Sequence, residues 1–408
     1  MNICVLTHTF PKSKNDTTAA FMKSFVEGLV EAGNKVVLLT PYTDNFVNLD
    51  KRYKTVKYKY IWFNSWHKLG YSGAMKADID LKIINYFLIP FMIFFGVISL
   101  FKTVYRYKIN IINVHWLLPN GLIALIVSKL TKVPYIITVP GTDAYLVYKN
   151  KIFALVAKII SNSSAGIISN SNFLLKRATD LGIKNKPTAV ISYPIDIKQF
   201  KISEFGIDEL RTKLKITNSN LIVLAIGRLV YKKGFVYLIK AISEIVKKKP
   251  NVKLIIGGDG DLKEILRLLV QRLKIVDNVL LVGNISRNEM LTYYNLADIF
   301  VAPSIVDKKG NADGGPVVSY ESMACGKAQI ATEILGVSDI IKDGVNGYVV
   351  KQRNTVELVN ALNDLLVSKS KRDKMGIKNR QLIRNGLSKR AIGMQYTRFI
   401  KQILKNEK

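Results

Sequence analysis

Short apolar runs, each too brief for a helix, recur along this chain with amphipathic stretches between them, and that alternation leaves few folds open. In the first half the runs are Ile3–Leu6, Val36–Thr40, Ile109–Val114, Tyr135–Thr138 and Gly166–Ser169. Helical periodicity separates them at about Ala19–Ala32, Asn120–Lys129 and Phe173–Asp180. In the second half the runs are Leu221–Ile226, Lys253–Ile256, Val279–Val282, Ile299–Ala302, Ala328–Ala331 and Gly347–Val350. A strand covered on both faces reads as a continuous apolar run, and strands alternating with helices pair in parallel. The two series meet near Pro194–Phe200, and 408 residues exceed what one core accommodates. The expected fold is α/β, with two doubly wound Rossmann-like domains facing across a cleft. The first covers residues 1–197 and the second 198–386. Ligands of such sheets lie beyond the carboxyl ends of the strands.

Charge narrows the partners. With 61 Lys and Arg against 30 Asp and Glu the net charge is +31, so the chain is expected to adhere to something polyanionic. The excess is spread over both halves, since residues 1–200 carry 25 basic and 10 acidic groups. Two cysteines, Cys4 and Cys325, make neither a disulfide framework nor a Cys-rich zinc site and fit a reducing cytoplasm. Asn2–Leu6 has no basic stretch before it and reads as a first strand rather than a secretory signal.

Two stretches of the second half carry chemistry. Gly227-Arg228-Leu229 and Lys232-Lys233-Gly234-Phe235 follow a strand and open a helix. That places Arg228 and Lys233 where a helix N-terminus already favours an anion, so together they suit a diphosphate. The alternative is a pair of solvated cations. Downstream, Asp313, Gly314, Gly315 and Pro316 lead into a helix carrying Val317, Val318 and Glu321. The glycines permit close backbone approach, and Pro316 suits a first turn. Glu321 sits one turn inside, where a carboxylate can accept two ribose hydroxyls; a capped helix with a surface glutamate is the plainer reading. Gly257-Gly258-Asp259-Gly260 lacks the third glycine of a dinucleotide fingerprint, and no Gly-Lys-Ser/Thr phosphate loop is present. His8, His67 and His115 are scattered, and Ser319 and Ser322 have no histidine near in sequence. His115 ends a strand, where touching an acceptor and packing in the core are both open.

These residues resemble the retaining glycosyltransferases of family 4, which have the GT-B fold. Val301-Ala302-Pro303-Ser304, the 313–321 stretch and Gly227-Arg228-Leu229 with Lys233-Gly234 carry the likeness in the second half. Gly258-Asp259-Gly260, Val282-Gly283-Asn284-Ile285 and Ala297-Asp298 extend it. In the first half Thr9-Phe10-Pro11, Gly33-Asn34-Lys35-Val36, His115-Trp116 with Pro119-Asn120-Gly121, and Gly141-Thr142-Asp143 do so. The resemblance implies a nucleoside-diphosphate sugar held by the second domain. Arg228 and Lys233 would neutralise the diphosphate, Glu321 would bind the ribose, and Ile285 would cradle the base beside Gly227. The backbone of Gly315, Pro316, Val317 and Val318 would meet sugar or phosphate oxygens. Asp313 stands where the family has the first of two glutamates, contacting the transferred sugar. Thr18, His115 and Asp143 would lie on the acceptor side. It further implies that residues 387–408 form a helix crossing back to the first domain, and that the enzyme needs neither metal nor cofactor. The chain departs from the family at Pro140, where a histidine is usual, at Asp313, one methylene shorter than glutamate, at Leu335, at Asp339 and at Thr17-Thr18. The alternative those departures leave is a catalytically degenerate GT-B relative that binds nucleotide or membrane.

Between Asp80 and Asp143 no acidic residue occurs, while Lys82, Lys102, Arg106, Lys108, Lys129 and Lys132 do. Inside this tract lies Tyr86–Phe101, sixteen residues without charge. Upstream, residues 51–60 interleave cations with tyrosines, and Trp62 and Trp66 follow. Aromatic and basic residues together suit an anionic headgroup layer. A helix buried on all sides, or a single span, would give the same apolar run. No nucleic-acid motif accompanies the cations. The expectation is a cytoplasmic enzyme, peripheral at the inner face of the cell membrane. It would move a sugar from a UDP-sugar, ahead of a GDP-sugar, to a saccharide or lipid-linked acceptor of cell-surface polysaccharide or glycolipid biosynthesis.

Overall fold

The computed structural model describes residues 1–13, 16, 18–44, 46–47, 50–69, 86–139, 151–180, 186–308, 317–334 and 336–406. The chain divides into two units, Met1–Pro194 with Lys389–Lys408 and Ile195–Ser388.

The first unit is a seven-stranded sheet, wholly parallel, in the order β3-β2-β1-β4-β5-β6-β7. Its strands are β1 (Asn2–Leu6), β2 (Lys35–Pro41), β3 (Lys54–Tyr58), β4 (Ile111–His115), β5 (Tyr135–Val139), β6 (Gly166–Ser169) and β7 (Thr188–Val190). The helices before the crossover to the second unit are α1 (Ala20–Glu31), α2 (Leu88–Tyr107), α3 (Asn120–Thr131), α4 (Lys151–Ser163) and α5 (Asn172–Asp180). Every residue of β4, β5 and β6 is buried, as their unbroken apolar runs require. On α1 the buried Met22, Phe25, Val26 and Leu29 recur at helical spacing.

The second unit is a six-stranded parallel sheet in the order β10-β9-β8-β11-β12-β13. These strands are β8 (Leu221–Ile226), β9 (Val252–Gly257), β10 (Val279–Gly283), β11 (Ile299–Ala302), β12 (Ala328–Thr332) and β13 (Gly347–Val350). Its helices are α6 (Ile207–Lys213), α7 (Phe235–Val246), α8 (Lys263–Arg272), α9 (Met290–Leu296), α10 (Val317–Ala324), α11 (Thr355–Val367) and α12 (Lys369–Leu382). Phe235, Leu238, Ile239, Ile242 and Ile245 of α7 join Val223, Leu254, Ile256, Ile299 and Ile330 of the strands in one core. The chain therefore forms two Rossmann-like α/β units, the second inserted ahead of the last helix of the first. The last helix, α13 (Lys389–Asn406), packs on α1 in the first unit.

Two strands escaped the sequence analysis. β7 is three residues long, and β3 is an edge strand whose lysines disguise it. β3 also corrects the reading of residues 51–60 as a headgroup-facing segment. Tyr53, Tyr58 and Tyr60 point into the core at 3%, 4% and 0% exposure, and the intervening lysines take the solvent side. The uncharged stretch, from Leu88 to Phe101, forms the first fourteen of the twenty residues of α2, which is long and apolar enough to cross a membrane. One stripe of it is buried, comprising Leu88, Met92, Gly96, Leu100 and Val104 at four-residue steps. Gly96 faces Ile123 of α3 so closely that a Cβ would lie 2.6 Å from Ile123 Cδ1. The other side exposes Phe87, Phe91, Phe94, Ile98, Phe101 and Tyr105.

Glycine brings α1 and α13 together. A Cβ at Gly393 would collide with the carbonyl oxygen of Gly28, and one at Gly28 with the carbonyl oxygen of Lys389. Glu27 accepts from Lys389 Nζ at 2.9 Å and Thr397 Oγ1 accepts from Asn34 Nδ2 at 2.7 Å, so the helices are also tied by side chains. Gly393→Ala is expected to destabilise the first unit by about 1–3 kcal/mol through forced separation of the helices. Gly386→Ala, where the added carbon has nothing within 4 Å, is the matched control. Denaturant unfolding of the two variants checks the difference.

Candidate functional site

Strand order reverses between β8 and β11 in the second unit and between β1 and β4 in the first. Loops leaving those neighbouring strands part there and open a crevice at the carboxyl ends.

In the second unit glycines let three such loops close on one another. Gly227 N–H bonds the Gly257 carbonyl at 2.9 Å, and Gly258 N–H bonds the Gly283 carbonyl at 2.7 Å. At Gly258, φ is +136°, and a Cβ would strike the Gly227 carbonyl oxygen. Ile285, just past β10, lays its side chain over Gly257. Lys233 passes beside Gly227, with Cε, Cδ and Nζ 3.2, 3.3 and 3.5 Å from where a Cβ would stand. The structure thus brings Gly227, Lys233 and Ile285 to one group of strand ends, with Arg228 exposed in the same loop. A short turn at Tyr231–Lys233 ends at Gly234, φ +68°, from which α7 starts without a side-chain cap. Tyr237 N–H closes on the Gly234 carbonyl at 2.9 Å, and with no side-chain cap the N–H groups ahead of it are available to a ligand or water. Gly234 packs against the Pro303 carbonyl, and Ile305 N–H bonds the Lys232 carbonyl at 2.8 Å, so the β8 and β11 loops are joined.

Glu321 lies in α10 and is 1% exposed. Its Oε1 accepts from Arg287 Nη1 at 2.5 Å and its Oε2 from the Tyr294 hydroxyl at 2.7 Å. Burial, then the Glu321 charge, hold the Tyr294 hydroxyl well above its ordinary range, so it remains a donor. Val317 and Val318 open α10, while Asp313, Gly315 and Pro316 lie outside the described residues. Sequence reasoning missed Arg287 and Tyr294. Neither belongs to a dense motif, and Arg287 is one cation among 61.

In the first unit the crevice holds His8, after β1, and Trp116, after β4, with ring centres 4.7 Å apart. Asn120 links the two loops. Its Nδ2 donates to the His115 carbonyl at 2.8 Å and also lies 3.1 Å from His8 Nδ1. Because a carbonyl can only accept, the amide orientation is fixed, and His8 Nδ1 accepts in turn. The His8 proton is therefore on Nε2. Burial lowers the His8 pKa to about 4 and that of His115 to about 3, so both rings are neutral near pH 7. His8 is partly exposed as a residue, whereas His115 is fully enclosed, its ring against Phe25 at 4.6 Å and its Nδ1 2.9 Å from the Tyr193 hydroxyl. Trp116 has φ +65°, a left-handed conformation costly for an aromatic residue. Thr18 lies between β1 and α1, its N–H held by Asp16 Oδ1 at 2.8 Å. Asp143 and Pro140 lie outside the described residues. Among the described residues no three His, Cys, Asp or Glu side chains converge as metal ligands would.

Residues 18–199 match the family described as Glycosyltransferase Family 4, and residues 206–382 match Glycosyl transferases group 1. An uncharacterized glycosyltransferase of Methanocaldococcus jannaschii is 26% identical over 339 residues, 81% of this chain and 85% of the relative. The alpha-monoglucosyldiacylglycerol synthase of Streptococcus pneumoniae is 26% identical over 253 residues, 59% and 56% of the two chains. The capsular polysaccharide biosynthesis glycosyltransferase CapM of Staphylococcus aureus is 27% identical over 299 residues, 69% and 75%. Among solved structures, sucrose-phosphate synthase from Thermosynechococcus elongatus superposes with a TM-score of 0.76 at 19% identity, covering 99% of both chains. Anabaena HepE in complex with UDP gives 0.74 at 18% identity, covering 98% of this chain and all of the other. Two family domains in this order, on two parallel Rossmann-like units, make this chain a member of the family 4 glycosyltransferases of the GT-B fold.

Proposed function

We propose that this enzyme transfers a sugar, retaining its anomeric configuration, from a nucleoside-diphosphate sugar to a saccharide or lipid-linked acceptor. UDP is placed ahead of GDP as the carrier, and the product belongs to a surface polysaccharide or glycolipid. The observation that carries the reading is the convergence of Gly227, Lys233 and Ile285 at the ends of β8, β9 and β10, beside the uncapped start of α7. A departing diphosphate gathers negative charge in the transition state. Fixed cations and helix N–H groups aimed at that charge need no reorganisation as it develops. Lys233 and Arg228 supply the cations in this proposal, without a metal ion, and Ile285 covers the base. The crevice of His8 and Trp116 is assigned to the acceptor. Trp116 offers a ring face to a sugar, and His8 offers its Nε2–H to a hydroxyl.

Two of the relatives support the substrate classes, one a synthase of alpha-monoglucosyldiacylglycerol and one a glycosyltransferase of capsular polysaccharide biosynthesis. An acceptor held in a bilayer calls for an enzyme that reaches its surface. The exposed side of α2 carries Phe91, Phe94, Ile98 and Phe101, with Lys102 and Arg106 also exposed on the helix. Ile152, Phe153, Leu155 and Ile159 of α4 are exposed as well. Apolar side chains flanked by cations suit the headgroup boundary of an anionic leaflet, here taken as the inner face of the cell membrane.

Lys233→Ala is expected to lower kcat/KM for the nucleotide sugar by at least about 100-fold with unchanged unfolding. Calorimetric titration with UDP and GDP identifies the carrier and should show weaker binding in that variant; near-normal turnover would remove Lys233 from the site. Stability contributed by neutral His8 and His115 is full above their ordinary value of 6.5 and is lost as pH falls towards about 4 and about 3. The melting temperature should therefore decline from pH 6.5 to pH 4, and His8→Gln should flatten part of that decline. The double variant Phe91→Ser, Phe94→Ser is expected to release the protein from vesicles rich in phosphatidylglycerol while remaining soluble. Undiminished sedimentation with those vesicles would exclude α2 as the contact.

A further inference from the structure

Glu321 is assigned the ribose, yet both of its oxygens already accept from protein donors. Arg287 holds Oε1 and Tyr294 holds Oε2. Both partners rest on one ring. The Arg287 guanidinium carbon lies 4.5 Å from the centre of Phe200, and the Tyr294 ring meets Phe200 edge-on at 5.7 Å. Phe200 and Tyr294 are fully buried, and Gln199 lies 3.5 Å from Arg287 Nη2. Both oxygens of the carboxylate are thus held by donors that share one buried ring as their support. A carboxylate has about four lone-pair positions. Two are used here, one on each oxygen, which leaves one on each for two adjacent hydroxyls.

We propose that Arg287 is a positioning residue for the nucleoside. Together with Tyr294 it holds the Glu321 carboxylate in one orientation, so that the remaining acceptor position of each oxygen meets one hydroxyl of a ribose 2′,3′-diol. The site then selects ribonucleoside over 2′-deoxyribonucleoside diphosphates. Without Arg287 the Oε1 end of the carboxylate loses its donor and is free to rotate, so the pair of acceptor positions is no longer aligned. The consequence is loss of ribose selection rather than loss of diphosphate binding, because Lys233 and the α7 N-terminus lie in other loops. The inference rests on the donor-site reading given above.

The test is calorimetric titration of the full chain with UDP, GDP and their 2′-deoxy forms. Wild type is expected to bind the ribo form of its nucleotide at least about tenfold more tightly than the deoxy form. Arg287→Gln should weaken the ribo form about tenfold and change the deoxy form little, while Arg287→Lys, which keeps the counter-charge, retains most of the discrimination. Placed on Glu321→Gln, the Arg287→Gln change should not reduce discrimination further, since the two residues act through one contact. Tyr294→Phe should lose part of the discrimination and carries the test if Arg287→Gln does not fold. Equal weakening of ribo and deoxy forms, or intact discrimination in Arg287→Gln, overturns the proposal and leaves the donor site standing. A wild-type chain that binds none of the four ligands overturns the donor-site reading, and this inference with it.

Discussion

A parallel sheet whose strand order reverses must let two neighbouring loops leave in opposite directions, and both units of this chain are organised around that parting. The two crevices are bridged by different means. Between β8 and β11 the bridge is main chain, with Gly234 against the Pro303 carbonyl and Ile305 bonded to Lys232. Between β1 and β4 it is a side chain, the Asn120 amide reaching both the His115 carbonyl and the His8 ring. A main-chain bridge depends on glycine at a few positions and is otherwise indifferent to side-chain identity. A side-chain bridge changes with each substitution. In the function proposed above, the main-chain bridge would border the donor and the side-chain bridge the acceptor.

The ionic design follows the same division. Most of the 61 cations are solvent-facing, and the described ion pairs include exposed ones such as Lys247 with Glu244. Pairs of that kind contribute little to stability. The Arg287 and Glu321 pair differs because its carboxylate is enclosed and each of its oxygens has a donor. A buried charge with a fixed partner is weak evidence of added stability. It is better understood as orientation, since Phe200 supports both donors.

The fold was legible in the sequence because burial on both faces turns a strand into an unbroken apolar run. Eleven runs predicted from that signal lie on strands, and β3 was lost because an edge strand needs only one apolar side. The same alternation made Tyr53, Tyr58 and Tyr60 look like a surface band when they are core residues. Gly227 and Lys233 could be named in advance because their segment follows a strand and opens a helix, whereas Ile285 was named only through the family resemblance. Arg287 and Phe200 could not. Their meeting depends on a sheet order that places β10 two strands from β8, and no local spacing encodes that order. His8 was passed over for a related reason. A lone histidine after a first strand becomes informative only when Asn120, more than a hundred residues later, fixes its tautomer.

The first unit consists of both ends of the chain, with the whole second unit inserted between Pro194 and Lys389. The apolar stripe of α1 and the backbone contact at Gly28 are completed by a helix separated from them by about 360 positions. During synthesis, which proceeds from the N-terminus, that stripe stays uncovered while all of residues 195–388 emerge. The second unit can close on its own core before α13 exists. The domain begun first is therefore completed only after the second has been made, by an eighteen-residue helix that follows it in the chain.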